Sequence, residues 1–123
     1  MVAAQNDRDA LRRAADNQTF ISEAPICLVF CTDAARSAQR FGARGETLYA
    51  VQDATIAAAY AQLAIVAAGM GSTWVGNFDA AQIRQALNIP AELTPVALLS
   101  VGYPAELPEA TARRRIDEIV TYR

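Results

Sequence analysis

The chain contains no histidine and no lysine; all eleven basic residues are arginine. Without imidazole, Ser-His and Cys-His nucleophile pairs and His-ligated metal sites are excluded. Without a lysine amine, Schiff-base chemistry is excluded too. Cysteine is limited to Cys27 and Cys31, in one apolar run. Four residues of extended chain separate them by roughly 13 Å, too far for a disulfide. Two cysteines alone do not make a metal site, so they read as two buried thiols. Charge is sparse, at 20 % of residues with a net −2, and the arginines are scattered apart from Arg113, Arg114 and Arg115. No basic face for nucleic acid is expected. The opening MVAAQNDRDALRRAADN lacks the apolar stretch of a signal peptide. The longest apolar run, Ala54 to Met70, is mostly alanine and contains Tyr60 and Gln62, which makes a poor membrane span. A cytoplasmic, soluble chain with no membrane partner is expected.

What is present fits one domain over residues 1–123: the length allows a single core and not comfortably two. Asn6 or Asp7 is placed to cap a helix to about Asp16, with Leu11, Ala14 and Ala15 on its buried face. Residues 17–25 read as connecting chain. ICLVFCTD, from Ile26, is rich in branched and aromatic residues without alternation, as in a central strand buried on both faces. Thr32 to Gly45 is polar and glycine-bounded and reads as a surface excursion. A helix then runs from about Thr47 to Ala68, stopped by Gly69. It is apolar almost all round, which predicts burial on every side. Ala57, Ala58, Ala61 and Ala64 would permit close helix approach. A subunit interface is the preferred reading, and a core helix of a monomer is the other.

Ser72 to Val75 reads as a short strand. Asp79 or Asn77 is placed to cap a helix through about Leu87, with Ile83 and Leu87 inward. TPVALLSVGYP reads as a second central strand. Ala110 to Tyr122 is polar, with Ile116, Ile119 and Val120 at helical spacing. The order α-β-α-β-α-β-tail predicts a layered sandwich around a small sheet.

The chemistry-bearing segment is GMGSTWVGNFD, Gly69 to Asp79. A glycine-punctuated strand-turn gathers backbone N–H groups where no side chain intervenes. Such donors suit the edge of a flat ring, a flavin rather than a phosphate. The segment is not a P-loop, because no Gly-Lys-Ser/Thr follows, and it is not a dinucleotide fingerprint, because a strand follows it. Arg40 and Arg44 read as a solvated loop or as the lining of a substrate or nicotinamide entrance. Trp74 reads as core or as a flavin contact. Glu46 and Asp53 read as favourable charge near a helix N-terminus.

The segments EAPICLVFCTD, FGARGETLYAVQDATIAAAYAQLAIVAAGMGSTWVGNF and PVALLSVGYPAELP, taken in order from about Glu23 to Val120, resemble the FMN-dependent nitroreductase family. The resemblance implies an α/β (α+β) three-layer sandwich with a small mixed sheet flanked by helices. It implies a homodimer that binds FMN and passes hydride from NAD(P)H through flavin N5 to a small-molecule electron acceptor, such as a nitroaromatic or quinone. Trp74, Val75, Gly76 and Asn77 match the segment against the flavin, with the Gly76 N–H toward N5 and the Asn77 N–H toward the neighbouring carbonyl. Arg113 and Arg115 match the pair that grips the FMN phosphate; a solvated tail is their other reading. No side-chain catalyst and no metal is implied. The sequence departs from the family by lacking its N-terminal Arg-rich and Asn/Gln-Pro-Trp segments, so residues 1–123 correspond to about the C-terminal two-thirds of the family fold. A non-catalytic dimerisation or interaction module is therefore the alternative to an enzyme.

Overall fold

A computed structural model describes all 123 residues. The sheet has three strands, β1 (Ile26–Asp33), β2 (Gly71–Val75) and β3 (Leu93–Gly102), in the order β1-β3-β2. Both pairings are antiparallel, so β1 and β2 run parallel to each other with β3 between them. The sheet is thus antiparallel throughout, where a mixed one was expected. β3 is the central strand, as its uninterrupted run Ala97 to Val101 of buried residues requires. β1 is not central but an outer strand, half-buried along most of its length. Its free edge is met only at Cys27, by two backbone hydrogen bonds with Val2 of 2.8 and 2.9 Å.

Helices cover both faces. On one lie α1 (Gln5–Ala14), α2 (Phe20–Glu23) and α5 (Ala80–Ala86). There Leu11, Ile21, Ile83 and Leu98 are fully buried in one cluster with Cys27 and Val75. On the other lies α4 (Ala50–Ala67), whose Ile65 packs on Leu99 and Val101. The expected three-layer α+β sandwich is the one observed. Asp79 caps α5 as expected, its carboxylate accepting from the Ala81 and Gln82 N–H groups. Those hydrogen bonds hold its carboxyl below the usual aspartate range. At α1 the N-cap is Ala4, with no side-chain cap, so neither Asn6 nor Asp7 plays that part.

Four local expectations change. The connecting stretch after α1 contains the single turn α2. The polar stretch after β1 is α3 (Ala34–Arg44), capped by the Asp33 carboxylate on the Arg36 N–H. No residue of α3 is fully buried; its apolar face is only Ala34, Ala38 and Phe41, short and set among arginines, so it reads as polar chain. Gly42 at φ +59° breaks its last turn, and a π-helical turn, Gly45–Tyr49, joins it to α4. Third, α4 is not wrapped on all sides. It meets the sheet through Ala54, Ala58 and Ile65, while Val51, Ile56, Tyr60, Leu63 and Val66 stay exposed. Ala54 and Ala58 give the helix close approach to the sheet beside Ile65, while Ala57 and Ala64 are exposed with the larger residues. By length and composition alone the joined helix 34–67 would suffice to cross a membrane, yet it packs along a sheet and carries Arg36, Arg40 and Arg44 in its first third. Fourth, the tail has one short 3-10 turn, Ile116–Glu118, in place of a helix.

Candidate functional site

Beyond β2, Gly76 and Asn77 are exposed and hold no regular structure. The segment is nevertheless fixed at both sides. Val75, 3 % exposed, pairs with Leu98 and anchors it in the α1–α5 core. Phe78 packs against the same cluster. The Asp79 N–H donates to the Ala14 carbonyl at 2.8 Å, and Asn77 Nδ2 donates to Asp16 Oδ2 at 2.6 Å. Asp16 and Asn17 take positive φ of 52° and 58°, which turns the chain out of α1 toward this loop. No hydrogen bond within the chain uses the backbone N–H of Gly76 or Asn77. Two adjacent main-chain donors are thus held in place and left free, an arrangement suited to acceptor atoms along the edge of a planar heterocycle.

Trp74 pairs with Leu99, and Leu99 pairs with Leu28, so Trp74 shares the sheet face that receives α4. It is 38 % exposed. It is therefore only partly a core residue, and one side of its indole remains available.

Arg113 and Arg115 lie in residues 103–123, all of which are exposed. Arg113 donates to the Thr111 hydroxyl at 2.5 Å. Arg115 forms a two-pronged pair with Asp117, with N···O distances of 3.0 Å. The guanidinium beside it holds the Asp117 carboxyl below its usual range. No hydrogen bond joins these arginines to the Trp74–Asn77 segment. A solvent-exposed pair of this kind contributes little and yields readily to a better anion.

A second feature was only partly legible. Between α3 and α4, at the end of β1, lies a cleft of about 440 Å³. Arg36 and Arg40 stand on its wall with Phe41, opposite Asp53. Arg40 is the sequence candidate that reaches it. Arg44 instead donates to the Tyr49 hydroxyl at 3.0 Å, outside the cleft. Asp53, read as helix-terminal charge, is a cleft residue; only the joining of α3 to α4 brings it there. Cys27 and Cys31 are both free. Cys27 is fully buried and its thiol is pushed up to about 11 by that burial. Cys31 is half-buried at the cleft and also raised by burial.

A family model described as the nitroreductase family matches residues 2–103. A protein of Thermus thermophilus named NADH dehydrogenase is 29 % identical over 141 aligned positions, which cover 93 % of this chain and 69 % of that protein. A Vibrio harveyi NADPH-flavin oxidoreductase is 29 % identical over 113 positions, covering 86 % of this chain and 47 % of that protein. The chain spans about half the length of the latter. Among solved structures, a nitroreductase family protein from Streptococcus pneumoniae TIGR4 superimposes with a TM-score of 0.87 at 23 % identity, over 99 % of this chain and 77 % of that one. The NfrA1 nitroreductase from B. subtilis gives 0.82 at 23 %, over 98 % and 54 %. At such identity these two likenesses establish the fold.

Proposed function

This chain belongs to the nitroreductase family, and from that premise we propose that it serves as an FMN-dependent oxidoreductase, passing a hydride from NAD(P)H to a nitroaromatic, quinone or similar electrophile. The observation that carries the reading is the pair of free backbone donors at Gly76 and Asn77, on a segment fixed by Val75, Asp16 and Ala14. When bound, the flavin supplies a two-electron carrier that takes hydride at N5. The Gly76 N–H would donate at that position and the Asn77 N–H at the adjoining carbonyl edge. Donors already in place need not reorganise as negative charge builds on the ring. Trp74 would lie beside it. Arg113 and Arg115 would take the phosphate as a planar fork, Arg115 leaving Asp117 to do so. Trp74 to Asn77 carry no titratable side chain, so the proton that accompanies the hydride would come from water.

The exposed apolar side of α4 supports a homodimer, since Ile56, Tyr60, Leu63 and Val66 gain by leaving water. We take residues 1–123 as one domain, equivalent to the C-terminal two-thirds of the family fold, and its compartment as the cytoplasm. The local engagement of Arg113 and Arg115 favours one second reading, a non-catalytic dimerisation module.

The test is an FMN titration followed by visible absorption, with NADH oxidation as the second readout. Saturable FMN uptake and FMN-dependent NADH oxidation are expected. A folded dimer that takes up no FMN would replace the enzyme reading with the module.

A further inference from the structure

Arg36 and Arg40 are four residues apart on α3, so their side chains lie side by side on one helix face. Two like charges so placed repel, and the chain supplies neither with a counter-ion. Its one ion pair is Arg115–Asp117. Arg40 does no more than stack on Phe41, 5.2 Å from the ring centre. Of the two carboxylates in the cleft, Asp33 is committed to the Arg36 backbone N–H. Asp53, on the α4 wall, accepts no hydrogen bond. Phe41, Ala50 and Ala54 are apolar members of the lining, the two alanines beside Asp53 on α4. The cleft volume, about 440 Å³, falls in the range of small-molecule sites.

We propose that this cleft binds aromatic carboxylates, the carboxylate between Arg36 and Arg40 and the ring against Phe41 and the alanines of α4. Arginine is suited to this because its planar fork meets both carboxylate oxygens. Asp53 limits the ligand to one anionic group, because a second would face its charge.

The register ties the cleft to the flavin-binding reading. Val29 and Val75 both pair with Leu98, and β1 and β2 run the same way. The cleft at Cys31–Asp33 and the turn at Gly76–Asn77 therefore lie at the same end of the sheet. β1 and β2 are two strand spacings apart, about 10 Å, so the two features are neighbouring but separate. The cleft would thus capture anionic aromatic acceptors beside the site where they are reduced, a role that rests on the proposed oxidoreductase function. For a nitrobenzoate the step balances as follows: NADH gives up a hydride and becomes NAD⁺, a solvent proton is consumed, and the nitro group becomes nitroso with loss of one oxygen as water.

Calorimetric and amide-NMR titration of the intact chain with benzoate and with neutral benzamide tests the binding. Benzoate is expected to saturate, with benzamide at least tenfold weaker. Arg36→Ala/Arg40→Ala, checked for an unchanged thermal melt, loses the preference. Arg13→Ala, on the exposed side of α1, keeps it, and Asp53→Asn tightens benzoate. Equal binding of the two probes, or saturation by neither, overturns the site. The acceptor role is read from KM for 4-nitrobenzoate against 4-nitrobenzamide with FMN and NADH present. A tenfold preference for the acid, abolished in the double variant, supports it. If benzoate binds but neither compound is reduced, the oxidoreductase reading falls and the cleft stands. If both are reduced with equal KM and benzoate does not bind, the cleft falls and the oxidoreductase stands.

Discussion

Asn77 donates its side-chain amide to the Asp16 carboxylate across 2.6 Å, joining the end of the first helix to the loop that follows β2. These residues are sixty-one apart in sequence. The main-chain N–H groups of Gly76 and Asn77 have no hydrogen-bond partner in the fold. Asp16→Ala should therefore weaken FMN binding by roughly three- to tenfold, the net worth of one such hydrogen bond. The unfolding midpoint should fall too, since alanine tolerates the φ of 52° at Asp16 less well and the hydrogen bond is lost. Flavin titration beside a thermal melt separates the two effects.

Gly76→Pro removes one of the proposed flavin donors without adding bulk elsewhere. A Cβ at Gly76 meets nothing nearer than Trp74 Nε1 at 3.5 Å, so Gly76→Ala should bind FMN nearly as the parent does. The proline variant should fold and fail to bind. Equal affinity in the two variants would rule out the main-chain donor role of Gly76.

The joint between α3 and α4 is sensitive at Gly45. A Cβ there would collide with the Ser37 carbonyl oxygen and stand 2.9 Å from Phe41 Cβ. Both are held by backbone, so Gly45→Ala should destabilise the chain by about 1–3 kcal/mol through overpacking. It should also displace α3 from α4 and lower benzoate affinity. Denaturant midpoints and the benzoate titration measure both.

Ile83→Ala should cost about 2–5 kcal/mol, because Ile83 is wholly buried between α5 and the sheet core. The loss should appear as a lower urea midpoint with an unchanged slope.

Burial raises the Cys27 thiol from its ordinary 9.0 to about 11. The folded state thus favours the protonated thiol, and the associated stability is full below about pH 9. It should fall as pH rises from 9 to 11, by roughly 2–3 kcal/mol over the window. Cys27→Ala should flatten that part of the stability profile. In native conditions near pH 8, iodoacetamide should label half-buried Cys31 and spare Cys27, with both labelled after unfolding, as intact mass would show.

Much of this architecture was legible because it follows apolar pattern and stop signals. β2, β3, the Asp79 cap and the Leu11 and Ile83 core positions rest on branched runs, an Asx cap and spacing. The alanine-rich helix was found, but its surroundings were misread. Hydropathy does not say which side of an apolar helix meets the protein, and here it is the side of Ala54, Ala58 and Ile65. α3 escaped because its apolar face is short, Ala34, Ala38 and Phe41, and is outweighed by the arginines and glycines around it. β1 looked central because its residue types suit burial; its place at the sheet margin depends on pairing with β3, far along the chain. The strand-turn at Trp74–Asn77 was visible through its glycines. The placing of Asp53 in one cleft with Arg36 and Arg40 was not, since it depends on the turn at Gly45–Tyr49.

The order β1-β3-β2 also governs how the molecule assembles. The middle strand is the last of the three to be made, and neither outer strand pairs with the other. While residues up to about 92 emerge from a ribosome, β1 and β2 have no hydrogen-bonding partner within the sheet. Helices can form early, but the ladder waits for Leu93–Gly102. Folding should therefore be concerted and late, governed by the arrival of one strand in a slot between two others. Until then, β1 and β2 are strands without a ladder between them.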